Sequence, residues 1–270
     1  MDTAFDIHSK HTGRTYRIGI SVPYAYSSPE TWPFGDTPDR WPVVYLLDAN
    51  FWFGIVTGIV HSMAWCGETT DAIVVSIGYP ELVTPQAMWM EAMARRNQDF
   101  TPIRDEEREK RIGEMTKRPV QTGDASRFHQ FIRDELIPTV ERDYLADSSR
   151  RILAGHSLGG GFATFALFEA PELFDGYLIG SAGPGEFDLK REEAYAQDHR
   201  KLASKIYFWA GGLEDGPDDT TVTDTLRFAE LLASRNFDGL SVVKQIFANL
   251  NHCECVAPGF QSGLKFALKK

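Results

Sequence analysis

Apolar positions along the chain fall into short runs separated by polar, turn-rich stretches. Residues 16–23 (YRIGISVP) alternate in polarity and end at a proline, which predicts a strand. Residues 42–49 (PVVYLLDA) and 72–79 (AIVVSIGY) are nearly continuous β-rich apolar runs, the pattern of strands buried on both faces. The stretch YSSPETWPFGDTPDRWP between the first two is full of turn residues and reads as a loop. Phe128, Phe131, Ile132, Leu136 and Val140 recur at helical spacing. Strands and helices then alternate: strand 151–155, helix 159–169, strand 177–181, helix near 192–203, strand 206–210, helix 222–234, strand 240–247 and a final helix at about 257–268. Such alternation predicts a mostly parallel central sheet flanked by helices on both faces. Residues 80–124 show no strong period and carry a charge run, RDEEREKRIGEMTKR. With no repeat and no linker, the expectation is a single domain over 1–270 with a lid-like insertion at about 85–124.

Composition narrows the class. The chain has 270 residues, 43% apolar and 24% charged, which is ordinary for a globular protein. It carries 28 Lys and Arg against 38 Asp and Glu, a net charge of −10 that repels nucleic acid and anionic membranes. No stretch reaches the roughly 18 apolar residues of a membrane span, and MDTAFDIHSK has no signal-peptide core. Cys66, Cys253 and Cys255 make no disulfide framework. A cytoplasmic, soluble protein is expected, while nothing in the sequence speaks to its oligomeric state.

The chemistry centres on RILAGHSLGGGFATFALF, which holds Gly155-His156-Ser157-Leu158-Gly159 between a predicted strand and a predicted helix. That is the context of a G-x-S-x-G elbow, where a strained turn lifts the serine hydroxyl clear of the sheet. Glycines two positions either side remove side chains that would collide. The turn also sets the Leu158 N–H at a helix N-terminus, where developing negative charge is stabilised. A serine nucleophile needs a base, and the expected chain order is Ser, acid, His. Only His199 and His252 follow Ser157. His199 sits in a polar helical stretch; His252 lies just past the last strand, where such sheets build their sites. His252 is the candidate base, and His156 reads as packing. The HCEC run around Cys253 and Cys255 is too tight for a usual zinc site.

The acid belongs after the penultimate strand, in AGGLEDGPDD, which offers Glu214, Asp215, Asp218 and Asp219. A cation loop, a solvated acidic turn and a histidine-orienting carboxylate are the three readings. The ligand pattern of a calcium loop is absent. Glu214 closes a G-x-x-E turn directly off the strand and is the chosen partner of His252; Asp215 is the alternative and is expected to face the other way. A second oxyanion donor is sought in YLLDANFWFG, with the Asn50 N–H proposed and Ala49 as alternative. Phe51 and Trp52 are candidates to wall an acyl pocket. Arg95 and Arg96 are candidates to meet an anionic substrate, against a structural pairing with Asp99. Residues 95–118 carry eight Lys or Arg and six Asp or Glu, a small local excess of positive charge.

On YRIGISVP, PVVYLLDAN, IVVSIGYP, RRNQDFTP, RFHQFIRDELIPTVERDY, AGHSLGG and the NH before the last helix, the chain resembles the putative-esterase family of α/β-hydrolases, and within it the siderophore-esterase branch acting on enterobactin and bacillibactin trilactones. The resemblance implies the α/β-hydrolase fold and ester hydrolysis, with Ser157 as nucleophile and His252 as base; the expected mechanism needs no metal or organic cofactor. It departs at Ala49, where the family often has glycine, and some members of the branch work nearly as a Ser–His dyad. The expected activity is serine carboxylesterase on a small-molecule ester. An acyltransferase or thioesterase on the same fold is the nearest alternative, and a binding protein that has lost the chemistry the remotest.

Overall fold

The computed structural model describes residues 2–33, 37–80, 84–217 and 219–269. The central sheet has eight strands: β1 (Asp2–His8), β2 (Thr15–Ser21), β3 (Trp41–Leu46), β4 (Ile73–Gly78), β5 (Ala146–His156), β6 (Gly176–Gly180), β7 (Lys205–Gly211) and β10 (Ser241–Phe247). Two-residue strands β8 (Asp215–Gly216) and β9 (Asp219–Thr220) form a separate small hairpin. The sheet order is β1-β2-β4-β3-β5-β6-β7-β10. β2 runs antiparallel to both neighbours, and the remaining pairings are parallel.

The unbroken apolar runs follow from burial on two sides. Val43 and Tyr45 of β3 enter one core, and Val44 and Leu46 the other. The second core is closed by α1 (Ala49–Trp65) and α9 (Val256–Ala267) through Val56, Val60, Phe260 and Leu264. The first is closed by α4 (Ala125–Phe131), α5 (Ile137–Asp143), α6 (Leu158–Glu169) and α8 (Thr221–Ser234), with Phe128, Val140, Phe162 and Phe228 fully or almost fully buried. From β3 the chain crosses to β4 on one side; from β5 it crosses to β6 on the other. The order therefore reverses between β3 and β5, and the crevice past their carboxyl ends is where an open α/β sheet places its ligand.

Several elements differ from the sequence expectation. β1 was not foreseen, because as an edge strand it buries little: Phe5 and Ile7 are half-buried between exposed neighbours. α1 was missed because apolar residues surround most of its circumference near the start. The supposedly aperiodic segment contains α2 (Pro85–Phe100) and α3 (Glu106–Thr116). α2 buries Arg96, Asn97 and Asp99, so its buried face is invisible to a hydrophobic period, and α3 buries only Ile112 and Thr116. The helix expected around 128–140 is interrupted by a π turn at Ile132–Leu136. Pro138, at the start of α5, has no N–H to give, which fits a local change of helical register there. The helix placed near 192–203 is α7 (Glu186–Asp198), several residues earlier.

Candidate active site

Three strands of the parallel sheet end in a non-glycine residue with positive φ: Asp48 after β3 (54°), Ser157 after β5 (60°) and Ser181 after β6 (43°). Backbone strain of this kind persists only where surrounding structure holds it, and it gathers at functional sites. The Ser157 N–H donates to the Gly180 carbonyl at 2.7 Å and that of Ser181 to the Trp209 carbonyl at 2.7 Å, which fixes both turns to the neighbouring strand. A Cβ on Gly155 would lie 2.3 Å from the Gly159 carbonyl oxygen, so this glycine is required by the elbow. The matching constraint after the serine is tighter at Gly160, whose Cβ would meet the Gly180 oxygen at 2.6 Å, than at Gly159, where the nearest atom is Asp48 Oδ2 at 3.0 Å.

His252 reaches the same place from the loop after β10. Asn251 shapes that loop: its Oδ1 accepts the N–H groups of Cys253 and Glu254, each at 3.0 Å. Glu214 Oε2 lies 2.5 Å from His252 Nδ1. Its other oxygen accepts from Ser181 Oγ and the Gly211 N–H, both at 2.7 Å. Burial raises the Glu214 pKa, but the hydrogen bonds from His252, Ser181 and Gly211 outweigh it and hold the value at about 2. The carboxylate is 5% exposed and stays ionised at neutral pH. Asp215 turns away and caps α8, accepting from Val222 N–H at 2.8 Å and Thr223 Oγ1 at 2.6 Å. Asp219 accepts from the Thr221 N–H at 2.9 Å, and Asp218 lies outside the described residues. No cluster of His, Cys, Asp and Glu among the described residues has a metal-holding arrangement.

Ser157 and His252 share a cleft of about 290 Å³ with Asp48, Phe51, Trp52, Met93, Arg96, His156 and Cys253. Among the described residues no hydrogen bond joins Ser157 Oγ to the His252 ring, although both line the same cleft. Burial, with His252 alongside, lowers the His156 pKa to about 3, so that ring is neutral; it sits 4.6 Å from the His252 ring, centroid to centroid. A main-chain group of His252 pulls the other way, though neither His156 nitrogen has a partner in ordinary hydrogen-bond geometry.

The basic candidates separate. Arg96 does not pair with Asp99. Its Nε and Nη2 engage Asp48 Oδ1 and Oδ2 at 2.9 and 2.7 Å in a buried bidentate pair. Arg95 is not among the cleft residues; it meets Glu91 Oε1 at 2.9 Å and lies over the Tyr79 ring. Asp99 is taken instead by Arg14 and by the hydroxyls of Tyr16 and Tyr79. Asn50 is not a cleft residue through its side chain, which bonds both main-chain groups of Tyr79. The main-chain N–H groups of Ala49, Asn50 and Leu158, each in the first turn of its helix, have no acceptor among the described residues. Asp48, Met93 and Ser181 were not singled out in the sequence, and Asn251 entered only through the NH of the family resemblance. Only Asp48, beside the predicted oxyanion loop, carried a positional signal.

A second Ser–His–Asp chain exists elsewhere. Ser21 Oγ is 2.9 Å from His61 Nε2, and His61 Nδ1 is 2.7 Å from Asp71 Oδ1. All three residues are at most 7% exposed. Ser21 pairs with Val74 near the start of β4, so this chain lies at the opposite end of the sheet from Ser157.

The sheet order, the strand-to-helix elbow at its switch point and the flanking helices define an α/β-hydrolase. The protein belongs to the putative esterase family, whose model matches residues 9–237. Ferri-bacillibactin esterase BesA of Bacillus subtilis is 31% identical over 268 residues, covering 96% of this chain and 87% of the relative. The siderophore enterobactin esterase of Emericella nidulans is 32% identical over 182 residues, 66% of this chain and 56% of that one. Among solved structures, the BES protein from Bacillus cereus superposes with a TM-score of 0.79 at 26% identity, covering 100% of this chain and 95% of the other. No helix among the described residues is long and apolar enough to cross a membrane.

Proposed function

We propose that the protein is a serine carboxylic-ester hydrolase working through an acyl-enzyme, with Ser157 as nucleophile, His252 as base and Glu214 as the acid. The observation that carries the reading is the ionised, buried Glu214 carboxylate 2.5 Å from His252 Nδ1, in a cleft that also holds the strained Ser157. With Nδ1 committed to Glu214, Nε2 is the nitrogen that accepts the Ser157 proton as Oγ attacks the ester carbonyl. The Leu158 N–H and the Asn50 or Ala49 N–H hold the oxyanion, each donor lowering the barrier by about 3 kcal/mol. His252 then protonates the leaving alcohol, and water, deprotonated by the same ring, releases the acid. Every step uses groups of the chain and water.

The names of the relatives direct the substrate proposal to ester bonds of siderophores. A cleft of about 290 Å³ is at the small end for a ligand site. It accommodates one acyl arm against Phe51 and Trp52 while the rest of a larger substrate stays outside. Ser157→Ala is expected to keep the fold by circular dichroism, lose p-nitrophenyl butyrate turnover and lose labelling by a fluorophosphonate. Turnover by the variant at the wild-type rate would overturn the assignment.

A further inference from the structure

Asp48 occupies the N-cap of α1, where an aspartate ordinarily turns its carboxylate back onto the N–H of the second or third helical residue. Here those residues are Asn50 and Phe51. Asp48 makes no such side-chain cap; its backbone is left-handed, and both its oxygens are drawn away by Arg96 from α2. The main-chain oxygen of Asp48 takes the N–H groups of Phe51 and Trp52, and those of Ala49 and Asn50 have no acceptor among the described residues. The same carboxylate lies against the elbow, since a Cβ on Gly159 would stand 3.0 Å from Asp48 Oδ2. One side chain thus borders both proposed oxyanion donors, immediately before Ala49 in the chain and beside the residue after Leu158 in space. The pair is nearly dry, with side-chain exposures of 9% for Arg96 and 1% for Asp48.

We propose that Arg96 is a positioning residue that holds the Asp48 carboxylate off its own helix terminus and so keeps the oxyanion site vacant for the substrate. Resting on the reading of Ser157 as nucleophile, it assigns Arg96 no contact with substrate: the fork is consumed by Asp48. Without Arg96, the carboxylate swings to the vacant N–H groups of its own helix, and the substrate oxyanion then competes with a tethered anion. The loss falls on kcat, because the oxyanion forms only after binding. Removing the carboxylate as well relieves the competition, and glycine is the replacement that tolerates the left-handed backbone at this position.

The test compares wild type, Arg96→Gln and the double variant Arg96→Gln with Asp48→Gly on p-nitrophenyl butyrate. Arg96→Gln is expected to lower kcat at least tenfold with KM within threefold, and the added Asp48→Gly to recover kcat at least threefold. Inhibition by a trifluoromethyl ketone, which loads the same site with an anion, weakens and recovers in parallel. If Arg96→Gln does not fold, Arg96→Lys, alone and with Asp48→Gly, carries the same comparison. A raised KM with kcat kept, or a double variant no better than the single one, overturns the proposal, since a purely structural ion pair gives no rescue. An active wild type with an unchanged Arg96 variant overturns the clamp alone; a wild type without turnover or fluorophosphonate labelling overturns the reading of the site and the clamp with it.

Discussion

Glu214→Gln removes the charge beside His252 while keeping the side chain's length. The Glu214 pKa drops from 4.5 to about 2, and at about 1.4 kcal/mol per pH unit that gap is worth about 3 kcal/mol. It is the net of what His252, Ser181 and Gly211 supply after offsetting the cost of burial. Carried over to the charged His252 of the transition state, a net gain of that size is on the order of 300-fold in rate, since each tenfold takes about 1.4 kcal/mol. The amide adds a second effect: with its NH2 facing His252 it donates to Nδ1, which moves the ring proton to Nε2 and leaves nothing to accept the serine proton. Loss of the tautomer raises the expected fall in kcat to about 10²–10⁴-fold, with KM changed less than threefold. Steady-state kinetics on p-nitrophenyl butyrate at pH 7.5 measure this, and circular dichroism checks the fold. Stability follows by linkage. The folded pKa lies below the unfolded one, so the contribution of Glu214 is fully present above about pH 4.5 and is lost as pH falls toward 2. Urea unfolding should show a variant weaker than wild type by up to about 3 kcal/mol at pH 7, with the gap narrowing by pH 3. A kcat within threefold of wild type, an equal loss from Asp215→Asn, or a gap that widens on acidification would refute the reasoning.

Gly155→Ala should abolish activity and soluble expression together, because its Cβ would stand 2.3 Å from the Gly159 oxygen with backbone on both sides of the conflict. Gly161→Ala, three residues into the same helix with nothing within 4 Å of the added carbon, should keep kcat and raise stability by about 0.5–1 kcal/mol in urea unfolding. Ser21→Ala should leave fluorophosphonate labelling stoichiometry and kcat unchanged; residual labelling of Ser157→Ala that disappears on adding Ser21→Ala would show the second chain to be reactive.

The sequence conveyed most where one physical constraint admits few residue types. β3 and β4 were legible because burial on both faces leaves little but aliphatic and β-branched side chains. The elbow was legible because glycine is demanded before Ser157 by backbone contact at Gly155, although after it the backbone contact falls on Gly160 rather than on Gly159 of the motif. Glu214 could be preferred over Asp215 from one turn of geometry, and the structure sets the first against His252 and the second against α8. α2 was illegible for the converse reason. It buries Arg96 against Asp48 and Asp99 against Arg14, Tyr16 and Tyr79, and a polar residue buried with its partner looks in a sequence like one left in water. For the same reason Arg95 and Arg96, adjacent and identical in type, could not be told apart: the helix sends one to the cleft and the other to Glu91.

The two Ser–His–Asp/Glu sets show what hydrogen-bond connectivity leaves out. Ser21, His61 and Asp71 are joined by two good hydrogen bonds, whereas among the described residues no hydrogen bond joins Ser157 to His252. Counted by bonds, the first set is the better triad. Position reverses the ranking. Ser21 is 3% exposed on a regular strand at the end of the sheet away from the crevice, with no strained turn to lift its hydroxyl. Ser157 stands at the switch point with φ of +60°, at the head of a helix whose Leu158 N–H has no acceptor among the described residues, beside a second helix terminus whose own aspartate pairs with Arg96. On the proposed reading, what distinguishes the two serines is the place provided for negative charge: Ser21, His61 and Asp71 form a buried hydrogen-bonded core, whereas Ser157 would have the Leu158 and Asn50 or Ala49 N–H groups beside it, kept from the Asp48 carboxylate by its pairing with Arg96.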